Sequence, residues 1–229
     1  MKATLIESRE IAPAIRHFVF EVPDVQEFYF IPGQFVSLTE TFGDKKITRA
    51  YSIASAPGGN RFDICLNLVE DGFFSPHLFG MAPGDTVETS APLGYFVLRD
   101  PSREAVFVAT GTGVTPFRSI LQAYLRQGDA HEITLIFGVR YERNLLYREE
   151  FEQLEREHPN FHFIPTLSRP DSGWTGRTGH VQQHVLNAIG DRRDLDVYIC
   201  GLKLMVDDVR AKLKALGFDR KQVIYEKYD

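Results

Sequence analysis

Two glycines, Gly111 and Gly113, sit where the short apolar run "EAVFVATG" gives way to "GTGVTPFRSI". Glycines let a ligand approach the backbone closely. The free N–H groups and the dipole at a helix start attract a phosphate. Pro116 fits the first helical turn, where no N–H is needed. The same residues also suit a plain tight turn leading into a buried helix. The third Gly of the usual dinucleotide fingerprint is missing, and no obvious acidic ribose ligand follows about 20 positions on, which argues against the standard Rossmann NAD site. A second candidate is the pair Cys200–Gly201 in "VYICG", at the end of another apolar run. If the strands of this half are ordered 3-2-1-4-5, strands one and four are neighbours where the winding reverses. Both glycine motifs then face one crevice, the geometry of a dinucleotide site.

The elements that must position these residues change rhythm along the chain. "ATLIESREIAPAIRHFVFEV" holds two β-rich runs around an Ala-Pro break, and "GQFVSLTE", "KITRAYSIAS", "RFDICLNLV" and "DTVETSAPLG" follow. Turn signals such as "APGGN" and "APGD" separate them, which predicts a small antiparallel β-barrel. After "RDPSRE" the period becomes helical, with Val114, Phe117, Ile120, Leu121, Tyr124 and Leu125 on one face. "EITLIFGV", "FHFIPTLSR", "DVYICG" and "QVIYEKY" read as further strands. "LYREEFEQLEREH", "HVQQHVLNAIG" and "LMVDDVRAKLKALG" read as helices, the last two stopping at Gly190 and Gly217. Strand–helix alternation predicts a doubly wound parallel sheet. The expected domains are therefore 1–99, a barrel, and 100–229, an α/β unit.

Composition narrows the function. The 229 residues are 43% hydrophobic and 25% charged, as in a globular protein, and the net charge of −5 weighs against nucleic-acid binding. No segment approaches the ~20 apolar residues of a membrane span. "MKATLIESRE" carries charges where a signal peptide needs an apolar core, so the expected location is cytoplasmic. The two cysteines, Cys65 and Cys200, fall short of the usual four ligands of an iron–sulfur cluster, and no spacing suggests zinc. No metal centre is expected.

Taken in order, the motifs resemble those of the ferredoxin–NADP reductase family of flavoproteins. "RAYS" (Arg49–Ser52) is similar to the family's R-x-Y-S flavin motif and "GFFS" (Gly72–Ser75) to its G-x-x-S turn. "GTGVTPFRS" resembles its pyridine-nucleotide turn, "VYICGLKLM" its C-G motif, and "YEKY" its terminal E-x-aromatic. The resemblance covers nearly the full length. It implies an FAD-binding antiparallel barrel followed by an NAD(P)-binding doubly wound α/β domain. Arg49 would bind the flavin pyrophosphate, Tyr51 would stack on the isoalloxazine, and Ser52 would hydrogen-bond near its N5. Gly72 and Ser75 would reach the pyrophosphate through backbone N–H groups. Ala50, Cys65, Leu66 and Asn67 join the cofactor-binding set, as do Thr112, Thr115, Ser168 and Gly201 with the nucleotide turn. Cys200 would line the nicotinamide site as a soft contact. Glu226 would polarise Ser52 and relay a proton, and Tyr228 would cover the flavin face where nicotinamide arrives. Two departures stand out: Asp229 extends past the terminal aromatic, and Asn67 occupies a place where relatives often carry a basic residue.

The implied chemistry is hydride transfer between nicotinamide and flavin, then single-electron exchange with a separate ferredoxin or flavodoxin. Arg140, Arg169 and Arg177 match arginines that grip the 2′-phosphate in bacterial members, which favours NADP(H) over NAD(H). Lys45, Lys46, Lys203 and Lys227 are candidate docking charges for an acidic partner, and a monomer is expected. An NAD(P)H:flavin reductase, an NADH-dependent reductase component of an oxygenase and a non-catalytic dinucleotide sensor remain alternatives at this point.

Overall fold

Six strands that bury apolar side chains on one side build the first unit. The computed structural model describes residues 1–125 and 131–228, so Asp229 lies outside the described residues. The chain divides into two compact units: Met1–Leu98 with Thr115–Ala123, and Arg99–Val114 with Tyr124–Asp229.

The strands of the first unit are β1 (Lys2–Ala12), β2 (Ile15–Glu21), β3 (Phe35–Phe42), β4 (Lys45–Ser52), β5 (Arg61–Asn67) and β6 (Thr86–Thr89). They form one antiparallel sheet in the order β4-β3-β6-β1-β2-β5. An Ile53–Ile64 bridge, with Ala54 N–H donating to Asp63 O at 2.8 Å, joins the chain after β4 to β5. That closes the sheet into a barrel and removes its free edges. Inward positions carry bulk: Phe18, Phe20, Phe30 and Phe62 are all fully buried, and Phe28 packs its ring 5.0 Å from Phe62. A short helix, α1 (Phe74–Gly80), follows the "GFFS" turn and buries Phe74 and Leu78. The sequence pattern does not announce it. Seven residues with Pro76 in the first turn are too few to set up a helical period.

Helix α2 (Thr115–Tyr124) buries Phe117, Ile120, Leu121 and Tyr124 as expected. Its polar residues are inside as well. The Arg118 guanidinium donates to Ala54 O at 2.9 Å and lies 3.6 Å from the Asp63 carboxylate, while Ser119 Oγ donates to Ser55 O at 2.6 Å. Gln122 accepts from the Ala56 N–H at 3.0 Å. These bonds explain why Thr115–Ala123 groups with the barrel strands despite its place in the sequence.

The second unit carries β7 (Ala105–Thr110), β8 (Ile133–Val139), β9 (Phe161–Leu167), β10 (Arg177–Thr178), β11 (Asp196–Leu202) and β12 (Val223–Tyr228), all parallel, in the order β10-β9-β8-β7-β11-β12. The five longer strands thus follow the 3-2-1-4-5 order, with the reversal at β7. Helices α3 (Arg148–Glu157), α4 (Val181–Ile189) and α5 (Lys203–Ala215) complete it, and α4 and α5 stop just before Gly190 and Gly217. β7 is apolar from Ala105 to Ala109, because a parallel strand is covered on both faces, and ends in Thr110. Val106, Val108, Val197 and Ile199 meet Val181 and Val185 of α4 and Val206 and Val209 of α5 in one core.

Candidate cofactor sites

The flavin motif lies on β4, and β4 breaks the rule of its sheet. Thr48, Arg49 and Ala50 are exposed in succession, so neither face is covered there. Arg49 donates to its neighbour's carbonyl, Thr48 O, at 2.9 Å. Among the described residues no carboxylate stands within ion-pair reach of its guanidinium. Tyr51 is half-buried, its ring 6.1 Å from Phe74. Burial pushes its phenol up to about 12, opposed by the nearby Arg49 charge. The result is a neutral flat ring beside an uncommitted cation, which suits an aromatic ring system with a pyrophosphate tail. Ser52 ends the strand and is buried, opposite Phe35. Leu66 on β5 packs in the barrel core, Cys65 beside it is also buried, and Asn67 is exposed.

The Gly72 turn is closed on itself. Gly72 N–H donates to Val69 O at 2.9 Å, and the Ser75 hydroxyl accepts from Val69 N–H at 2.9 Å. Of the two expected amide donors, Gly72 is therefore engaged, and Ser75 sits in the first turn of α1, where amides lack an intrahelical carbonyl.

In the second unit the nucleotide motifs converge as the strand order requires. Gly111–Val114 form a 3-10 turn between β7 and α2. The two glycines have different reasons. Gly111 has φ +54° with open space around it, so backbone conformation selects it. At Gly113 a Cβ would lie 2.7 Å from the Cys200 carbonyl carbon and 2.8 Å from Gly201 Cα, so close backbone approach selects it. Register puts Cys200 beside Ala109 on one side and Glu226 on the other, with Leu202 beside Tyr228. Burial pushes the Cys200 thiol well up, the Glu226 charge adds to this, and a hydrogen bond from the Tyr228 hydroxyl partly offsets it. Cys200 is thus a neutral, polarizable thiol rather than a thiolate nucleophile. Thr112 and Thr115 flank the turn, the latter buried at the start of α2.

Arg140 follows β8, Ser168 and Arg169 follow β9, and Arg177 opens β10 beside Thr166. Ser168 N–H donates to Val139 O at 3.0 Å and Arg169 N–H to Arg140 O at 2.9 Å, which holds these loops together. All three arginines are exposed. Among the described residues none of them has a carboxylate at ion-pair distance, whereas Arg148, Arg192 and Arg210 do. Three exposed guanidinium groups on neighbouring loops, in a chain of net charge −5, are chemically suited to an anion.

Two residues of this site escaped the sequence reading. Thr110 Oγ1 is buried at the carboxyl end of β7, against Gly201, with no hydrogen-bond partner among the described residues. A lone hydroxyl residue closing an apolar strand just before Gly111 was the available signal. The other is Trp174, whose indole N–H donates to Arg177 O at 2.9 Å.

Barrel and sheet together define a flavin- and pyridine-nucleotide-dependent oxidoreductase. Residues 2–98 match the oxidoreductase FAD-binding domain family and residues 107–211 the oxidoreductase NAD-binding domain family. The chain is 43% identical to ferredoxin–NADP reductase B of Sorangium cellulosum, with 100% of this chain and 97% of that protein aligned. It is 29% identical to the toluate 1,2-dioxygenase electron transfer component of Pseudomonas putida, spanning 67% of that longer protein. The Amycolatopsis cytochrome P450 reductase structure superposes with a TM-score of 0.89 at 27% identity, over 99% of this chain and 69% of that one. A Neisseria gonorrhoeae ferredoxin NADP+ reductase shares the fold, with a TM-score of 0.87 at 22% identity over 99% and 98% of the two chains. The chain belongs to the ferredoxin–NADP reductase family and is an FAD-dependent NAD(P)H oxidoreductase.

Proposed function

We propose that the chain passes electrons between NADP(H) and a ferredoxin or flavodoxin through FAD, working as a cytoplasmic monomer. Residues 1–99 carry the flavin and 100–229 the nucleotide. The observation that carries this reading is the meeting of Gly111–Gly113, Cys200–Gly201 and Glu226 at adjacent strand ends, in a chain that also presents Arg49 and Tyr51 on an uncovered strand.

When bound, FAD and the nucleotide supply the reaction itself, hydride exchange between nicotinamide and isoalloxazine and onward release of electrons. The residues of this chain bind and orient. Arg49 holds the pyrophosphate, Tyr51 packs flat on the isoalloxazine, and Ser52 offers a hydroxyl to it. Ser75 contributes a main-chain amide toward the same pyrophosphate. Gly111, Thr112, Gly113 and Thr115 shape the nucleotide pyrophosphate turn. Cys200, Glu226 and Tyr228 line the nicotinamide end, and Arg140, Arg169 and Arg177 read the 2′-phosphate with Ser168. A charged hydrogen bond is worth about 1.5–3 kcal/mol, so one well-placed arginine favours NADPH roughly tenfold or more.

Family members transfer electrons to ferredoxin-type partners. Two of the four candidate docking lysines are already ion-paired here, Lys46 to Glu88 at 3.0 Å and Lys227 to Asp207 at 2.7 Å. Lys45 and Lys203 are the exposed charges left for an acidic partner. A reductase component serving an oxygenase is the second reading, favoured by the likeness to the toluate 1,2-dioxygenase component. The test is NADPH-driven reduction of purified ferredoxin and flavodoxin beside free FMN. Turnover with a protein acceptor at low concentration supports the proposal. Turnover with free flavin alone contradicts it.

A further inference from the structure

Trp174, the single tryptophan of the chain, sits half-buried in the segment between Arg169 and Arg177. Its main-chain N–H donates to Asp171 O at 3.1 Å, and its indole N–H donates to Arg177 O at 2.9 Å. Its ring lies on Gly176 so closely that a Cβ there would stand 2.7 Å from Cε2. The Arg148 guanidinium lies 5.6 Å from the ring centroid, held by Glu152 at 2.6 Å and by Glu142. Beyond Arg177, His184 Nε2 reaches Thr178 O at 2.9 Å and Thr166 Oγ1 at 3.0 Å. The two-residue strand β10 is thus pinned on both sides, by an indole before it and an imidazole after it.

Such pinning matters because Arg177 has little else to hold it. It is exposed, lies on a strand of two residues, and has no acidic partner among the described residues. A long side chain that must meet a phosphate loses rotamer and backbone freedom on binding, and a fixed main chain reduces that cost. We propose that Trp174 is the positioning residue for Arg177, so that selection of a 2′-phosphorylated nucleotide depends on an indole that does not touch it. The inference rests on the reading of Arg177 as a 2′-phosphate contact.

Trp174→Phe keeps an aromatic ring in the segment and removes the indole N–H together with the second ring of the indole. Calorimetric titration of the holoenzyme with 2′,5′-ADP and with 5′-ADP separates the possibilities, with Arg177→Ala as reference. W174F is expected to weaken 2′,5′-ADP about fivefold, as loss of one hydrogen bond implies, and to leave 5′-ADP unchanged. Wild-type affinity for 2′,5′-ADP in W174F, beside a loss in R177A, overturns the role of Trp174 alone. Equal losses for both probes in W174F also overturn it, since they report general disruption. Wild-type affinity for both probes in R177A overturns the 2′-phosphate reading, and this inference falls with it. A second measurement needs no variant. Saturating 2′,5′-ADP is expected to shift the emission of this sole tryptophan while 5′-ADP does not, and no shift on saturation contradicts the coupling.

Discussion

At the residue scale, charge and burial set the sharpest expectations. Arg49 is exposed and, among the described residues, its guanidinium donates within the protein only to Thr48 O. Arg49→Ala is expected to weaken FAD binding at least tenfold, from loss of a charged hydrogen bond worth about 1.5–3 kcal/mol, and to change apoprotein stability by no more than about 0.5 kcal/mol. Fluorescence titration of the apoprotein with FAD, paired with urea unfolding, checks both. Cys200 makes a pH prediction. Its thiol is raised in the folded state by burial first and by Glu226 second. The native chain therefore binds that proton more tightly than the unfolded chain. Stability is full below the ordinary thiol pKa of about 8.5 and is lost as pH rises above it. Cys200→Ser cannot titrate there, so its urea midpoint is expected to fall less between about pH 8 and pH 9.5. Parallel pH slopes for the two proteins would remove Cys200 as the cause. The candidate residues that sequence reading proposed are those in motifs, among them Arg49, Tyr51, Gly111, Gly113, Cys200 and Gly201, and the strand register places Cys200 between Ala109 and Glu226. Thr110 left only a faint signal, a hydroxyl closing an apolar strand, and Trp174 left none, because a hydroxyl's missing partner and an indole's hydrogen bond are facts of three-dimensional approach.

At the element scale, the Gly111–Val114 turn and helix α2 carry separate expectations. Gly113→Ala drives a methyl group into the main chain of Cys200 and Gly201, which backbone cannot yield without moving the end of β11. A loss of about 1–3 kcal/mol in stability and a weaker nucleotide site are expected, the cost of overpacking. Chemical unfolding and nucleotide titration measure them, and unchanged nucleotide affinity would show that this close approach does not shape the site. Arg118 is the hidden member of α2. Its guanidinium is buried against Ala54 O and Asp63, and Asp63 also meets His17 Nε2 at 3.3 Å. Arg118→Met is expected to cost about 3–5 kcal/mol, as when one partner of a buried pair is removed. A smaller loss in the Asp63→Asn background would confirm the pairing in urea unfolding, and additive losses would deny it. The helical period correctly located the apolar face of α2. It could not show that Arg118, Ser119 and Gln122 are covered too, since periodicity reads polar residues as solvent-facing. The parallel order 3-2-1-4-5 was assumed from winding rules and is observed. Helix α1 and strand β10 were missed for the same reason, being too short to carry a period.

At the scale of the whole molecule, the change of rhythm near "RDPSRE" announced two architectures, a closed antiparallel barrel and a doubly wound parallel sheet. The grouping of Thr115–Ala123 with the barrel strands was not legible, because it depends on side-chain bonds made far from their place in the chain. Among the described residues no helix is long and apolar enough to cross a membrane. FAD bound to the folded chain alone is expected to raise the melting temperature with the logarithm of its concentration over Kd, by mass action, and R49A is expected to blunt that rise. The central claim is that one chain binds FAD tightly and reduces it with a pyridine nucleotide, choosing NADPH. Its most direct test is anaerobic titration of the purified yellow protein with NADPH and, separately, NADH, following the flavin absorbance by stopped flow. The account predicts that the flavin bleaches fully with about one equivalent of NADPH, by two-electron hydride transfer, and more slowly with NADH at the same low concentration. A protein that holds no flavin after gel filtration, or a bound flavin that neither nucleotide bleaches, would contradict it.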